Sequence, residues 1–466
     1  MTNPMKTIFA SIAIAAFFAA HGAENAKSSA APEENAGKSG LDWNAGASLR
    51  ARQEVADRIP GATPAMRGYN NYFRNLVNVW MQTGNEDFKF YIRGADEFRF
   101  WSSPSRSKSS RFPDEALIDN LYLDLYGLFG GRLDIRAGRQ DFTGPEMYGA
   151  GLVLLDGTPA DGSRTVFFDA IRLRWAFTEK EKTDALAIFN SHKTALSWGH
   201  PNAAHGEREL ATIWPGTRGQ NEFGGGLYHR SRSIDNLPFD AYWLYKRESK
   251  AYLPGGAPVP GRKVHTFGAR LMPRFGKEFS GAFEAALQEG KRDGGASCSG
   301  VMADASLRWS PDAGEDWRPY LQGEVYYLSG DRNRRRDGGR DRAWDPLWSR
   351  WPQASELMVL DFTDGVGYWS NLFFPSLSAG VSWRRRHDLS VRTGPMYVAA
   401  QDLATADSRC LGWFSSAKLG FTIVKGAVDG RGDITGYVLG EMLVPQGYYN
   451  DGKPAYFLRW QLMFSF

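Results

Sequence analysis

Hydrophobic and polar residues alternate along most of this chain with a period of two. Between Lys89 and Phe100, one parity carries Phe90, Ile92, Phe98 and Phe100, and the other carries Lys89, Arg93, Glu97 and Arg99. Side chains of a β-strand point to opposite faces in turn, so this segment predicts a strand with one apolar and one charged face. Ile171-Arg172-Leu173-Arg174-Trp175 repeats the pattern with two arginines. The same reading gives eighteen candidate strands, beginning at 44–56, 72–83, 87–101, 116–128, 132–142 and 164–178 and ending at 371–386, 388–402, 411–424, 431–445 and 454–466. Short connections such as Gly84-Asn85-Glu86 and Arg386-His387-Asp388 take turns with long ones such as 102–115, 143–163, 192–222 and 331–370. An even number of strands, joined by short turns on one side and long loops on the other, is the rhythm of an outer-membrane β-barrel.

The C-terminus continues the alternation to its last residue. Tyr456, Leu458, Trp460, Leu462, Phe464 and Phe466 share one face, and Phe457, Arg459, Gln461, Met463 and Ser465 share the other. A strand that closes a barrel against the first strand, its outer face in lipid, accounts for this ending. Its terminal aromatic, Phe466, resembles the signal that barrel-assembly machinery reads. A soluble sandwich would have to bury the arginine face in a dry core, which is costly for unpaired charge, or leave it to solvent.

Composition narrows the choice. The 466 residues carry a net charge of +4 from 56 basic and 52 acidic side chains, so nucleic acid is not an expected partner. Forty of the basic residues are arginine, whose rigid fork suits carboxylates and phosphates. Mean hydropathy is −0.43, and no apolar run after residue 23 approaches the length of a spanning helix, so entry into a membrane requires a closed barrel. Lys6, the apolar run Thr7 to Ala20 and the small residues Ala20, Gly22 and Ala23 read as a signal peptide over 1–23. Residues 24–43 then form a flexible polar segment and 44–466 the barrel.

Strand parity gives the expected channel lining: Arg50, Arg52, Glu54, Arg74, Arg93, Glu97, Arg99, Asp124, Arg136, Arg172, Arg174, Arg270, Glu284, Arg308, Glu324, Arg384, Arg386, Arg392, Glu441 and Arg459. Arg139 joins this set if Gly138 marks a bulge that turns it inward, whereas strict alternation sends it outward. The surplus of fixed positive charge favours anions, and a ladder of moderate sites lets an acid or polymer move without being trapped. Cys298 and Cys410 both lie near external strand ends and are candidates for a disulfide. His192, His200 and His205 share one loop, but their spacing matches no metal-ligand pattern. No cofactor motif, nucleophile or triad stands out, so an enzyme is not expected.

Several stretches resemble the alginate export family of outer-membrane porins. They include Leu49-Arg50-Ala51-Arg52-Gln53-Glu54, Tyr122-Leu123-Asp124-Leu125, Arg136-Ala137-Gly138-Arg139-Gln140 and Arg164-Thr165-Val166-Phe167-Phe168-Asp169. Leu328-Ser329-Gly330-Asp331-Arg332-Asn333, Trp344-Asp345-Pro346-Leu347 and Glu441-Met442-Leu443-Val444-Pro445-Gln446-Gly447-Tyr448-Tyr449 extend the match towards the C-terminus. The resemblance implies a monomeric eighteen-stranded barrel with an arginine-rich constriction and loops that fold into or over the pore. The chain departs from the dedicated alginate secretin at Arg332, Arg334, Arg335, Arg336, Arg340 and Arg342, which replace most of an acidic loop pattern. That run suits a solvated loop or a contact with lipopolysaccharide phosphates. The expected function is an outer-membrane channel for anionic solutes or an anionic polysaccharide such as alginate. A general diffusion porin and a secreted carbohydrate-binding sandwich are the alternatives.

Overall fold

A computed structural model gives the structure of the protein. It describes residues 41–59, 69–103, 112–113, 115–142, 167–191, 193–194, 196–198, 208–209, 220–252, 258–314, 316–332, 339–348, 354–359, 370–401, 408–428, 431–449 and 452–466. The expected segments 1–23 and most of 24–43 lie outside them, and the first strand begins at Asp42, inside the second.

Eighteen strands form the wall: β1 Asp42–Asp57, β2 Asn70–Gly84, β3 Phe88–Ser103, β4 Glu115–Gly127, β5 Leu133–Gln140, β6 Phe168–Ala176, β7 Glu181–Asn190, β8 Glu222–Ser231 and β9 Phe239–Glu248, followed by β10 Arg262–Leu271, β11 Phe279–Arg292, β12 Ser297–Trp309, β13 Trp317–Leu328, β14 Leu372–Trp383, β15 His387–Tyr397, β16 Cys410–Val428, β17 Arg431–Pro445 and β18 Ala455–Ser465. Each pairs antiparallel with the next, and β18 pairs back onto β1 from Ser48↔Ser465 to Asp57↔Tyr456. The sheet therefore closes on itself, leaving no edge.

The outer face is apolar because it has no water to meet. Val79, Ile171, Leu227, Phe267, Leu287, Val301, Val325, Leu377, Val391, Leu419 and Leu458 are all exposed on it. At the short-turn end Trp43, Phe129, Phe177, Phe279, Trp309, Trp317 and Trp383 are also exposed, an aromatic girdle at the periplasmic interface. The short turns are stabilised locally. Asn85 Oδ1 accepts from the amides of Asp87 at 2.9 Å and Phe88 at 3.1 Å, closing the β2–β3 hairpin. Among the described residues no helix is long and apolar enough to cross a membrane; the strands do so.

The expected strand 371–386 is shorter than its alternation suggested. Arg384 and Arg385 have φ of 50° and 53°, left-handed values that belong to a turn, so the strand ends at Trp383.

Candidate functional site

Cross-strand partners share a face, so register fixes what points inward. Arg52 pairs with Arg74 on β2 and Gln461 on β18, Arg74 with Arg99 on β3, and Glu54 with Arg459. Two glutamates gather this part of the wall. Glu54 binds Arg459 at 2.8 Å, Arg52 at 3.3 Å and Arg74 at 3.5 Å, while Glu97 binds Arg74 at 2.8 Å, Arg50 at 3.1 Å and Arg99 at 3.2 Å. Arg52 is 0 % exposed, and Glu54, Glu97 and Arg459 are buried as well. Charges this deep are tolerated because each is paired and hydrogen-bonded.

Around the ring the arginines become accessible. On β3 to β5, Arg93 is held by Asp119 at 2.8 Å and Asp141 at 2.9 Å, and Asp124 binds Arg136 at 2.6 Å and Lys89 at 3.2 Å. Asp119 is an extra residue at a register shift in β4, which lets both it and Asn120 be buried. On β6 to β8, Asp184 collects Arg172 at 3.0 Å, Arg174 at 3.3 Å and Arg230 at 2.5 Å. Asp184 is fully buried, whereas the side chain of Arg174 is 27 % exposed and that of Arg172 is 14 % exposed. Asp184 thus gathers three cations.

The opposite wall mixes charges, and Arg270 is the direct cross-strand partner of both Asp240 and Glu284. Strands nine apart face each other in an eighteen-stranded ring, so β9 to β13 stand across from the arginine hub. There Asp240 accepts from Tyr228 at 3.0 Å, Glu284 from Tyr242 at 2.8 Å, and Glu324 from Arg392 at 2.8 Å. Glu284 and Asp304 are direct cross-strand partners, and Asp304 Oδ1 has no hydrogen-bond partner among the described residues. Arg308 lies 3.7 Å over the ring of Tyr320 and donates to Ser310 at 3.2 Å.

The connection between β13 and β14 enters the lumen. Trp348 is buried beside Phe168, donates from Nε1 to Glu222 at 3.0 Å and has the Lys246 ammonium 5.2 Å from its ring. Only glycine admits it: a Cβ on Gly224 would lie 2.4 Å from the indole. Asp345 pairs with Arg262, and its backbone exchanges two hydrogen bonds with Gln288, at 2.7 and 2.8 Å. Further along, the amide of Leu357 and the hydroxyl of Ser355 each donate to Glu441 at 2.8 Å, and Glu356 takes a bidentate pair from Arg459 at 2.8 and 2.9 Å. One foot of this loop thus stands on β8 to β11 and the other on β17 and β18, on opposite sides of the ring.

Three expected lining residues sit elsewhere. Arg139 stays on the outer parity, because pairing runs unbroken through Gly138; it faces Leu121 and Asp169, binding Asp169 at 2.9 Å and stacking 3.7 Å over Phe167. Arg384 lies in the periplasmic turn, exposed and 3.4 Å from Asp316, and Arg386 shares that turn. Glu441 does point inward, but the loop covers it. The two cysteines are unbonded. They open β12 and β16, four strand spacings or about 19 Å apart around the wall, far beyond disulfide reach. His192, His200, His205 and Arg334 to Arg336 lie outside the described residues.

A charged inner face, an apolar outer face and an inserted loop fit a channel, and sequence comparison decides which kind. Residues 42–410 match the alginate export family. The chain belongs to that family. No curated protein sequence matches it. Solved outer-membrane porins share the fold of this alginate export barrel at low identity. OpdK from Pseudomonas aeruginosa, solved with vanillate, has a TM-score of 0.55 at 12 % identity over 91 % of this chain and 98 % of its own. OccK5 (OpdH) from the same organism gives 0.54 at 10 % over 91 % and 98 %, and OccAB1 from Acinetobacter baumannii gives 0.53 at 10 % over 91 % and 96 %. The protein is a porin-like outer-membrane β-barrel of the alginate export family.

The inward carboxylates Asp119, Asp184, Asp240 and Asp304 and the cations Arg230 and Lys246 also belong to this alginate export lumen, although the arginine pattern alone did not single them out. Parity along β7, β8, β9 and β12 also places Asp184, Arg230, Asp240, Lys246 and Asp304 inward, whereas Asp119 owes its position to the register shift in β4. Trp348 had no such signal, because a loop has no period.

Proposed function

We propose that this barrel passes anionic solutes or an anionic polysaccharide such as alginate along its arginine wall. The observation that carries the reading is the trio Arg172, Arg174 and Arg230 gathered at Asp184, with Arg172 and Arg174 partly open to the lumen. Such a site attracts a carboxylate without holding it tightly, since Asp184 already takes part of its charge. Planar-bilayer recording of the refolded protein under a salt gradient tests this. An anion-selective reversal potential, with block on adding polyuronate, is the expected result. Weak selectivity without block would leave a general diffusion porin, a reading that the mixed charges of the wall at Arg270, Glu284, Asp304 and Glu324 favour.

The closing strand that ends at Phe466 serves in this reading as the assembly signal, and the closed sheet acts as a monomer. Deleting Phe466 should lower the amount of assembled barrel, and mass measurement in detergent should give one chain per particle. Residues 1–23 act as the export signal; N-terminal sequencing of the membrane form should begin after Gly22 or Ala23.

A further inference from the structure

Arg247, Lys263 and Lys291 are direct cross-strand neighbours on β9, β10 and β11. All three share the parity of Trp243, Phe267 and Leu287, so they project from the outside of the barrel, where each is exposed. At about 4.8 Å per strand they form a row about 10 Å long at the ends of the strands remote from the short turns. Like charges placed directly opposite each other destabilise a sheet. No described carboxylate forms an ion pair with any of them, and the acid on this face, Glu289, sits one pair further down, opposite His265.

The residues beneath fix the depth of the row. Tyr245 and His265 lie 4.7 Å apart, and below them Trp243, Phe267 and Leu287 meet the hydrocarbon. Aromatic side chains of this kind mark the interface, and the next level outward is that of lipid headgroups. We propose that Arg247, Lys263 and Lys291 bind the phosphate of an outer-leaflet glycolipid of the lipopolysaccharide class, whose acyl chains lie on the apolar band below. The contact is then made by the barrel wall rather than by the arginine-rich loop 332–342.

Native mass spectrometry of the folded barrel in detergent, titrated with lipid A, tests the assignment. Each basic side chain near a charged lipid surface is worth about fivefold in affinity, so R247Q/K263Q/K291Q should lose about a hundredfold. Dephosphorylated lipid A should bind the wild type as weakly as lipid A binds the variant. Heat-modifiable gel migration confirms that the variant is folded. Equal lipid A binding by variant and wild type overturns the proposal. So does displacement of lipid A by millimolar inorganic phosphate, which would make the row a site for free anions.

Discussion

Removing the indole that anchors the inserted loop should open the channel. Trp348 is 1 % exposed, and its ring packs over Gly224 and beside Phe168 on the inner wall. Trp348→Ala forfeits burial worth about 3 to 5 kcal/mol in a packed interior. It also removes the donor that Trp348 Nε1 supplies to the buried carboxylate of Glu222. Even about 3 kcal/mol lowers the ratio of docked to undocked loop by about a hundredfold. The barrel itself should be spared, since Trp348 lies on none of its strands and Glu222 keeps Lys246 at 2.8 Å.

The assay is single-channel recording of wild type and W348A, with heat-modifiable migration to confirm assembly. The variant should show higher mean conductance and more open-level noise, because the foot that leaves β8 to β11 frees that side of the lumen while the foot on β17 and β18 stays. A variant that assembles normally yet conducts with wild-type amplitude and noise would refute the reasoning, since the loop would then be held by something other than the indole.

Four further outcomes are expected. R172Q/R174Q should move the reversal potential towards zero, measured in the same salt gradient, because two guanidiniums that reach the lumen lose their charge. Asp304→Asn should raise the temperature of heat-modifiable unfolding, by an amount corresponding to about 0.5 kcal/mol or more, since it removes a carboxylate that faces Glu284 with no partner on Oδ1. Arg459→Gln should lower it, as Glu356 loses its bidentate pair and Glu54 its nearest cation, and breaking a buried ion pair costs up to about 3 to 5 kcal/mol. Wild type should run identically on gels with and without reductant, because Cys298 and Cys410 are unbonded.

The wall was legible in the sequence because each of its residues meets one of two unlike media. Lipid outside and polar lumen inside force strict alternation, so β17 at Arg431–Pro445 and β18 at Ala455–Ser465 fall on the expected segments. Alternation fails where the backbone leaves the sheet: the left-handed turn at Arg384 breaks parity, and no apolar partner on the far face warned of it. It also says nothing of pairing. That Arg52, Arg74 and Arg459 share one glutamate follows from which strands are neighbours and from the closure of β18 on β1, which places Arg459 opposite Glu54 across the whole length of the chain. Counting inward arginines therefore overstates the field a solute meets. Buried guanidiniums such as Arg52 and Arg459 are held in the wall by Glu54, whereas Arg172 and Arg174 at Asp184 still reach the lumen. Substituting Asp184 should consequently change selectivity more than substituting Arg52, although Arg52 has the plainer sequence signature.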